Sequence, residues 1–378
     1  PMISMAEEVA ELPEIFVAGQ KQQPGLLTVL PESSGMSDTA ELIKQIPGGD
    51  IAKVGQLSGN VQYRGLSGSR INVMVDGFSP KDVGPDGMTP PLSNISSHHA
   101  QTVTVYRGIT PVSVGMETLG GAVRAESKKG QFAAQGETEF SGSYSNGYSS
   151  AANSWFGNLL ANVSNHNHRL ELNGSREEGD SYRFKGSRTI QPTGFNRDIF
   201  SLGYGYTQGS HNFGIKYFDL NTNNSGTPAL LMDIIYAKGG IWSVDYSYDF
   251  NKDTVFESSF HYQDMRHYMN NTDLRTPKMS MYESVMDMTH HALTSVTSAG
   301  GDFRIVKTLN NGSLKAGFNA DQSLHNANMQ MAFGEMVMNM GSETMTMPAG
   351  QWDYSLFHNV ERIRVSPYVE LEEAFAKD

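Results

Sequence analysis

Apolar and polar side chains alternate along much of the chain after Gly130. The alternation is plain in the segments Asn212 to Leu220, Ile241 to Phe250 and Ser313 to Ala320. Residues two apart on a strand point to the same face, so these segments predict strands with one apolar face. No apolar run approaches the ~18 residues of a membrane-spanning helix. The mean hydropathy of -0.40 fits strands that are apolar only at every second position.

The connections between these segments alternate between short and long. Three short ones are turn-like: Gly209-Ser210-His211, Asn251-Lys252-Asp253 and Asn310-Asn311-Gly312, and the last carries an Asn-Gly hairpin signal. In bacterial β-barrels the short turns face the periplasm and the long loops face outward. We therefore expect an antiparallel transmembrane β-barrel. Its extracellular loops should lie near residues 179-197, 221-240, 265-291 and 325-356.

A second set of motifs precedes the alternating segments. Tyr63-Arg64-Gly65 comes first, and Ile71 to Val75 then alternates and ends at Asp76-Gly77. Val103 to Tyr106 is a second alternating run that ends at Arg107-Gly108, and Gly120-Gly121 is the last motif of the region. Short strands that end at glycine also occur in any small α+β domain. The order of the motifs distinguishes this region from such a domain.

Taken together, these motifs resemble the plug domain of TonB-dependent receptors. The resemblance covers roughly residues 30 to 130, and Ile109-Thr110-Pro111 departs from it because the family more often has proline directly after the glycine. It implies a mainly β protein, with a small α+β plug inside an antiparallel barrel of the bacterial outer membrane. We expect an N-terminal segment at 1-29, the plug at 30-130 and the N-terminal part of the barrel at 131-378.

The alternating segments number about ten, whereas a plugged barrel of this kind has about 22 strands. Such a barrel would take on the order of 440 residues, so we expect this chain to lack strands. An open sheet would expose two unpaired edges to lipid, which is costly. Pro1 to Leu12 has neither the basic start nor the apolar core of a signal peptide, which predicts a mature or trimmed N-terminus.

A short β-prone run precedes the plug and consists of Glu14, Ile15, Phe16, Val17 and Ala18. In receptors of this family such a segment is the box that pairs with TonB by strand addition. A plain linker strand is the alternative. The resemblance thus implies TonB as a partner.

Composition narrows the classes of function. The chain has no cysteine, which excludes disulfides, thiolate metal sites and cysteine nucleophiles. Its net charge of -12 makes nucleic acid an unsuitable partner. The sequence has no Ser-His-Asp signature, HExxH motif or phosphate-binding glycine loop. We therefore do not expect an enzyme.

Methionine is concentrated in one part of the barrel. Thirteen of the 20 methionines lie between Met265 and Met347, inside two predicted loops and together with His267, His290, His291 and His325. A thioether is a soft, uncharged ligand, and with imidazole it favours copper over hard ions. The alternative is that these flexible side chains contact a hydrophobic ligand or a neighbouring surface.

Three local motifs narrow the choice. His267-Tyr268-Met269 places an imidazole and a thioether on one face of a strand. Met232 follows Pro228-Ala229-Leu230-Leu231, and Met88 precedes Pro90-Pro91, which would hold the plug loop rigid. These motifs look like those of the TonB-dependent copper receptors, in which they build one methionine-rich copper site. By that resemblance the metal ligands are Met88, Met232, His267 and Met269.

One departure concerns the oxidation state. Those receptors can carry a cysteine four residues before the plug methionine, and this chain has Gly84 there. Thioethers and imidazole alone suit Cu(I) better than Cu(II).

Two other histidine pairs are not predicted as ligands of this site. His98-His99 is expected on the polar plug surface. His290-His291 together with Met329 to Met347 is interpreted either as a low-affinity collecting loop or as a disordered loop.

The sequence therefore predicts TonB-dependent import of copper ions or a copper complex across the outer membrane. A siderophore receptor is the alternative within transport, and would be expected to carry Arg and aromatic side chains in its outer loops. A non-transport surface binding protein is the other alternative.

Overall fold

The structure is a computed structural model. It describes residues 26-29, 38-84, 87-107, 110-115, 119-185, 188-276, 279-281, 284-286, 288-340 and 343-373. The segment proposed to pair with TonB, Glu14 to Ala18, lies outside these residues. Among the helices of the described ranges, none is long and apolar enough to cross a membrane.

The N-terminal part forms two small sheets. Its strands are β1 (Leu26–Val29), β2 (Gly49–Lys53), β3 (Gly59–Tyr63), β4 (Leu66–Ser67), β5 (Asn72–Val75), β6 (Ala100–Tyr106) and β7 (Ala122–Ser127). The spatial order is β1-β6-β7-β5 in one sheet and β2-β3-β4 in the other. Short 3-10 helices lie in the connections of the described part, at Thr39–Gln45, Gly68–Arg70, Pro91–Asn94 and Val112–Val114.

The two plug strands predicted from alternation are confirmed as β5 and β6. The chain turns after β5 because Asp76 and Gly77 both adopt positive φ, of 49° and 81°, which glycine and aspartate tolerate best. Val73 and Val105 point into a common apolar core with Leu42 and Leu92. This core fixes the domain that carries one part of the candidate site.

The rest of the chain forms one ten-stranded sheet, with short hairpins in three of its connections. The strands in chain order are β8 (Glu139–Ser149), β9 (Ser154–Ser164), β10 (His168–Gly179), β11 (Arg183–Phe184), β12 (Arg188–Thr189), β13 (Phe195–Gln208), β14 (His211–Ser225), β15 (Asp233–Asn251), β16 (Thr254–Asn270), β17 (Met279–Met281), β18 (Ser284–Met286), β19 (Met288–Leu309), β20 (Gly312–Phe333), β21 (Met336–Met340), β22 (Glu343–Met347) and β23 (Gly350–Glu373).

Each strand of the large sheet is antiparallel to the next one in the sheet. The order is β23-β20-β19-β16-β15-β14-β13-β10-β9-β8, so the predicted number of about ten strands is confirmed. The pairs β11-β12, β17-β18 and β21-β22 are the hairpins in the long connections. The short turns after β13, β15 and β19 lie at the opposite end of the sheet, as the alternation of connections predicts.

The predicted loop boundaries are wrong at the end of the sheet that carries the long connections. β16 continues to Asn270 and β19 begins at Met288, although the sequence predicts a loop from 265 to 291. β20 likewise reaches Phe333, beyond the predicted loop start at 325. A strand needs only about 9–11 residues to cross a bilayer, so strands of 17 to 22 residues extend past it. His267 and Met269 therefore lie on a strand.

The two faces of the sheet differ in polarity. On β10, Leu170 is 46% exposed, whereas its neighbour Glu171 is 3% exposed. Glu171 faces the plug, where one carboxylate oxygen accepts a hydrogen bond from the Gly130 amide at 3.0 Å. An apolar outer face and a polar inner face are the pattern of a membrane barrel.

The plug lies against this inner face and is joined to it by polar contacts. Lys216 Nζ of β14 lies 3.7 Å from the Asp76 carboxylate. Arg197 and Glu177 form a buried ion pair on the sheet, and the Ser96 hydroxyl of the plug donates to Glu177. Buried charges need such partners. The plug and the sheet therefore form a continuous interface, and the candidate site spans it.

Candidate metal centre

The four sequence-predicted ligands come from three separate segments. Met88 belongs to the plug between β5 and β6, Met232 directly precedes β15, and His267 and Met269 lie in β16. Met88 is 2% exposed, Met232 8%, and the other two 0%. Met88, Met232 and Met269 belong to one buried cluster. The structure therefore brings together three thioethers that are far apart in sequence.

β16 places the imidazole and the third thioether on its inner face. His267 and Met269 are two residues apart and both fully buried, which is consistent with the predicted shared face. Thr294 of β19 pairs with His267 and Ala292 pairs with Met269. The Thr294 hydroxyl donates to the backbone carbonyl of Val83. This bond joins the plug loop to the strand beside His267.

His267, two residues before Met269 on β16, is a fully buried imidazole. Neither ring nitrogen has a hydrogen-bond partner among the described residues, although both are buried. A buried polar group without a partner costs about 1–3 kcal/mol. A Cβ placed on Gly84 would lie 2.5 Å from Nδ1 of His267. The imidazole therefore occupies the space that a side chain at position 84 would need.

The plug segment that carries Met88 is held by hydrogen bonds on both sides. Thr89 donates its hydroxyl to Asp82 at 2.7 Å and accepts the Gly84 amide at 2.9 Å. On the other side, the Ser58 hydroxyl donates to the Met88 carbonyl at 2.7 Å. These bonds fix the backbone at Met88 and Thr89 and so position the Met88 thioether.

The segment that carries Met232 is held by a buried charge. Asp233 is fully buried and accepts the Thr227 amide at 2.8 Å. Arg275, from the connection after β16, donates to Asp233 at 2.6 Å, to the Leu230 carbonyl at 2.8 Å and to the Thr227 carbonyl at 3.0 Å. Arg275 thus binds both ends of the segment that precedes Met232. Sequence reasoning missed this contact.

The donor set is soft and has little charge. In the described ranges no three residues among His, Cys, Asp and Glu converge as a metal-binding group, whereas the methionine cluster does converge. Thioether sulfur and neutral imidazole are ligands for soft metals such as Cu(I) and are poor ligands for Mg²⁺ or Ca²⁺. The site is therefore suited to a soft ion of low charge.

The prediction for the plug histidines is wrong. His98 and His99 lie in the plug, but both are buried at the interface with the sheet, and His98 stacks on Phe156 with ring centroids 3.6 Å apart. Burial lowers the pKa of His99 to about 3, so this ring is neutral. The pair does not form a polar plug surface because the barrel wall covers it.

Part of the distal methionine group lies in strands and not in a loop. Met329 and Met331 belong to β20, and Met329 packs against the cluster of Met88, Met232 and Met269. No sequence signal indicates this packing, because the pairing that creates it joins distant segments.

Comparison with known proteins agrees with this architecture. Residues 30–122 match the family model described as TonB-dependent receptor plug domain. No curated protein sequence matches the chain. Among solved structures, the chain is similar to the copper transporter OprC, with 19% identity, a TM-score of 0.75, and coverage of 94% of this chain and 61% of that one.

Iron receptors share the fold as well. A mutant of the ferric enterobactin receptor PfeA from Pseudomonas aeruginosa is 14% identical with a TM-score of 0.59, and the match covers 94% of this chain and 60% of that one. The FrpB iron transporter of Neisseria meningitidis is 14% identical with a TM-score of 0.61, and that match covers 94% of this chain and 63% of that one. The chain thus spans about three fifths of the length of these structures.

These matches are to receptors and transporters, which are not enzymes. The TonB-dependent receptors that the plug model describes are outer-membrane β-barrels, in agreement with the predicted location. The apolar outer face of the sheet is the kind of surface that contacts lipid in such barrels. The chain therefore contains a TonB-dependent receptor plug domain and has the fold of the TonB-dependent outer-membrane receptors.

Proposed function

We propose that the protein imports copper across the outer membrane, and that it binds the ion as Cu(I) through Met88, Met232, His267 and Met269. The observation that carries the proposal is the buried His267 imidazole, whose two nitrogens have no hydrogen-bond partner within the described residues. A metal ion coordinated by one nitrogen would compensate the cost of burying it. The adjacent thioethers favour a soft metal.

The burial of the four predicted ligands favours a bare ion over a metal chelate as the bound species. Its four side chains are at most 8% exposed, and the methionines pack against Ile234 and Ala292. A siderophore complex needs an open cavity lined by groups that bind its surface. Similarity to iron receptors supports the shared fold, whereas the methionine cluster supports copper.

The division of the ligands between two domains suggests how the ion is released. Met88 belongs to the plug, and the other three ligands belong to the sheet and its loop. Movement of the plug would withdraw one thioether and separate Gly84 from His267. In this proposal TonB pairs with Glu14 to Ala18 and supplies the pull, as the resemblance to the receptor family implies.

Copper content of the full-length protein tests the proposal. The Met88→Ala, Met269→Ala double variant should lose tightly bound copper, because two of the four ligands are absent. Met345→Ala is the matched control, since Met345 is 53% exposed and lies in the β21-β22 hairpin. Elemental analysis after dialysis against a copper chelator gives the readout. Unchanged copper in the double variant, or zinc in place of copper, would refute the assignment.

Uptake separates import from surface binding. Cells that carry the wild-type protein should accumulate copper faster than cells that carry the double variant, whereas a surface binding protein would retain copper without internal accumulation. A siderophore receptor would bind an iron chelate and leave copper content at background.

A further inference from the structure

We propose a binding site for a phosphorylated glycolipid on the lipid-facing side of the sheet, at the end that carries the long connections. The site is separate from the metal centre and does not depend on it. Its first part is a pair of cations. Lys238 of β15 and Arg266 of β16 are directly paired across the two strands, and both are exposed. They alternate with the buried Ala237 and His267, so both side chains lie on the outer face.

Two cations in this arrangement attract a negative charge. Directly opposed side chains on antiparallel strands have Cβ atoms about 5 Å apart, and like charges in this position are destabilising. Neither Lys238 nor Arg266 forms an ion pair with another residue of the described ranges. Lys238 lies over the ring of Tyr236, with Nζ 4.5 Å from the ring centre. A phosphate between the cations would remove the repulsion, and a guanidinium can bind two of its oxygens.

Two carboxylates determine on which side of the cations a phosphate would lie. Asp219 and Asp264 both pair with Gly240, from opposite sides. They therefore lie on the outer face two positions from Lys238, toward the short turns and the membrane. Tyr236 lies two positions from Lys238 in the other direction, and the ammonium group is placed over its ring. The phosphate would lie on this outward side, away from both carboxylates.

The height of the cations along the strands matches the headgroup layer. Trp242 and Tyr262 pair on the same outer face, four positions nearer the short turns, and are 47% and 38% exposed. Aromatic residues of this kind form the girdles at the edges of the apolar belt of a barrel. At about 3.3 Å per residue and a tilt of about 40°, four residues rise about 10 Å. The cations therefore lie among the headgroups.

A concave surface of about 590 Å³ adjoins the cation pair on the outer face. Tyr268 borders both, because it lines this surface and lies two positions from Arg266 on the same strand. Aromatic rings pack against the face of a sugar, and amide and carboxylate groups bind its hydroxyls. Such groups line the surface: Tyr268, His291, Asn328, Gln330 and Asp353. The Asp353 carboxylate would repel a phosphate, so this surface suits the sugar and the cation pair suits the phosphate.

The three parts of a phosphorylated glycolipid thus each have a complementary surface. The phosphate would contact Lys238 and Arg266, the sugar would occupy the concave surface, and the acyl chains would lie against the apolar outer face, where Phe260 is 49% exposed. A free phosphate would use the cations alone. A phospholipid without a sugar would leave the concave surface unfilled.

Lipid A, a phosphorylated disaccharide with acyl chains, is a suitable probe. Purified full-length protein in detergent is incubated with lipid A and analysed by native mass spectrometry, and the wild type should retain one lipid A. The Lys238→Gln, Arg266→Gln protein should bind it at least about tenfold more weakly, because two charge-assisted contacts are lost. Retention at the wild-type level would refute the proposal.

Arg176→Gln is the matched control. Arg176 is also exposed on the outer face, but it is paired with Glu178 and Asp198, so this variant should retain lipid A as the wild type does. Equal loss in the control would show that any outward cation suffices and would refute the assignment. The heat-dependent gel mobility of the barrel verifies that each variant is folded.

A further variant and two competitors test the sugar. Asn328→Ala, Gln330→Ala should weaken lipid A binding about three- to tenfold, as expected for lost hydrogen bonds, and unchanged affinity would refute the contacts with the concave surface. Phosphatidylglycerol has a phosphate and acyl chains but no sugar, and inorganic phosphate has neither sugar nor acyl chains. Neither should displace lipid A at equal concentration. Displacement by either would refute a glycolipid as the ligand.

Discussion

Arg275 should control copper affinity although it is not proposed as a ligand. It donates to the buried Asp233 and to the carbonyls of Leu230 and Thr227, and so holds the segment that presents Met232. Arg275→Leu would leave the Asp233 carboxylate buried without its charged partner, which costs about 3–5 kcal/mol. Because the segment can relax by opening toward water, we expect the lower end of this range, about 3 kcal/mol.

That cost converts into an expected change in copper affinity. In the Arg275→Leu protein the segment before Met232 would be open, and it must return to its closed position before Met232 can bind the ion. Every 1.4 kcal/mol is about a factor of ten, so copper would bind up to about 100-fold more weakly. The loss cannot exceed the contribution of Met232, because the other three ligands are held independently. We expect Cu(I) competition titrations with a chromogenic chelator to place Arg275→Leu within this range.

Combination of variants shows whether the arginine acts through Met232. Met232→Leu should weaken binding by itself, and Arg275→Leu should add little to it because the contact that Arg275 supports is already lost. Arg183→Leu is the matched control, since the ion pair of Arg183 with Asp180 is exposed. Additive losses from the Arg275 and Met232 substitutions would refute the reasoning.

Two further predictions concern orientation and coupling. An epitope inserted after Gly334, an exposed residue that follows β20, should bind antibody on intact cells, whereas one at Asn311 should not; labelling at Asn311 would reverse the orientation. Ile15→Pro should abolish copper uptake but preserve copper binding by the purified protein, because proline removes a backbone donor needed for strand addition. Uptake at the wild-type rate in this variant would remove the coupling role from Glu14 to Ala18.

The fold could be predicted wherever one face of a strand is apolar and the other polar. Ile71 to Val75 and Ile241 to Phe250 have this pattern, and the structure has strands at Asn72–Val75 and across Ile241 to Phe250. The pattern weakens in Met265 to Met269, where buried methionine and histidine alternate with arginine and tyrosine. Inner and outer residues then look equally polar in the sequence. This is why sequence patterns predict loops at these strand ends.

The candidate site was predictable only in part. The motifs around Met88, Met232 and His267 are local, and each could be recognised by resemblance. The contact between Arg275 and Asp233 joins residues 42 positions apart, and the packing of Met329 depends on Ala292 between two partner strands. No local pattern encodes such pairings, because they follow from the register of the sheet.

Gly84 has a consequence for how such a site can change during evolution. Because the imidazole of His267 fills the space beside this glycine, a single mutation at position 84 would introduce a side chain into an occupied position. Acquisition of a cysteine ligand there would require the imidazole ring of His267 or the plug loop to move. The conformation of His267 therefore depends on the residue at position 84, and substitutions at the two positions should not be independent.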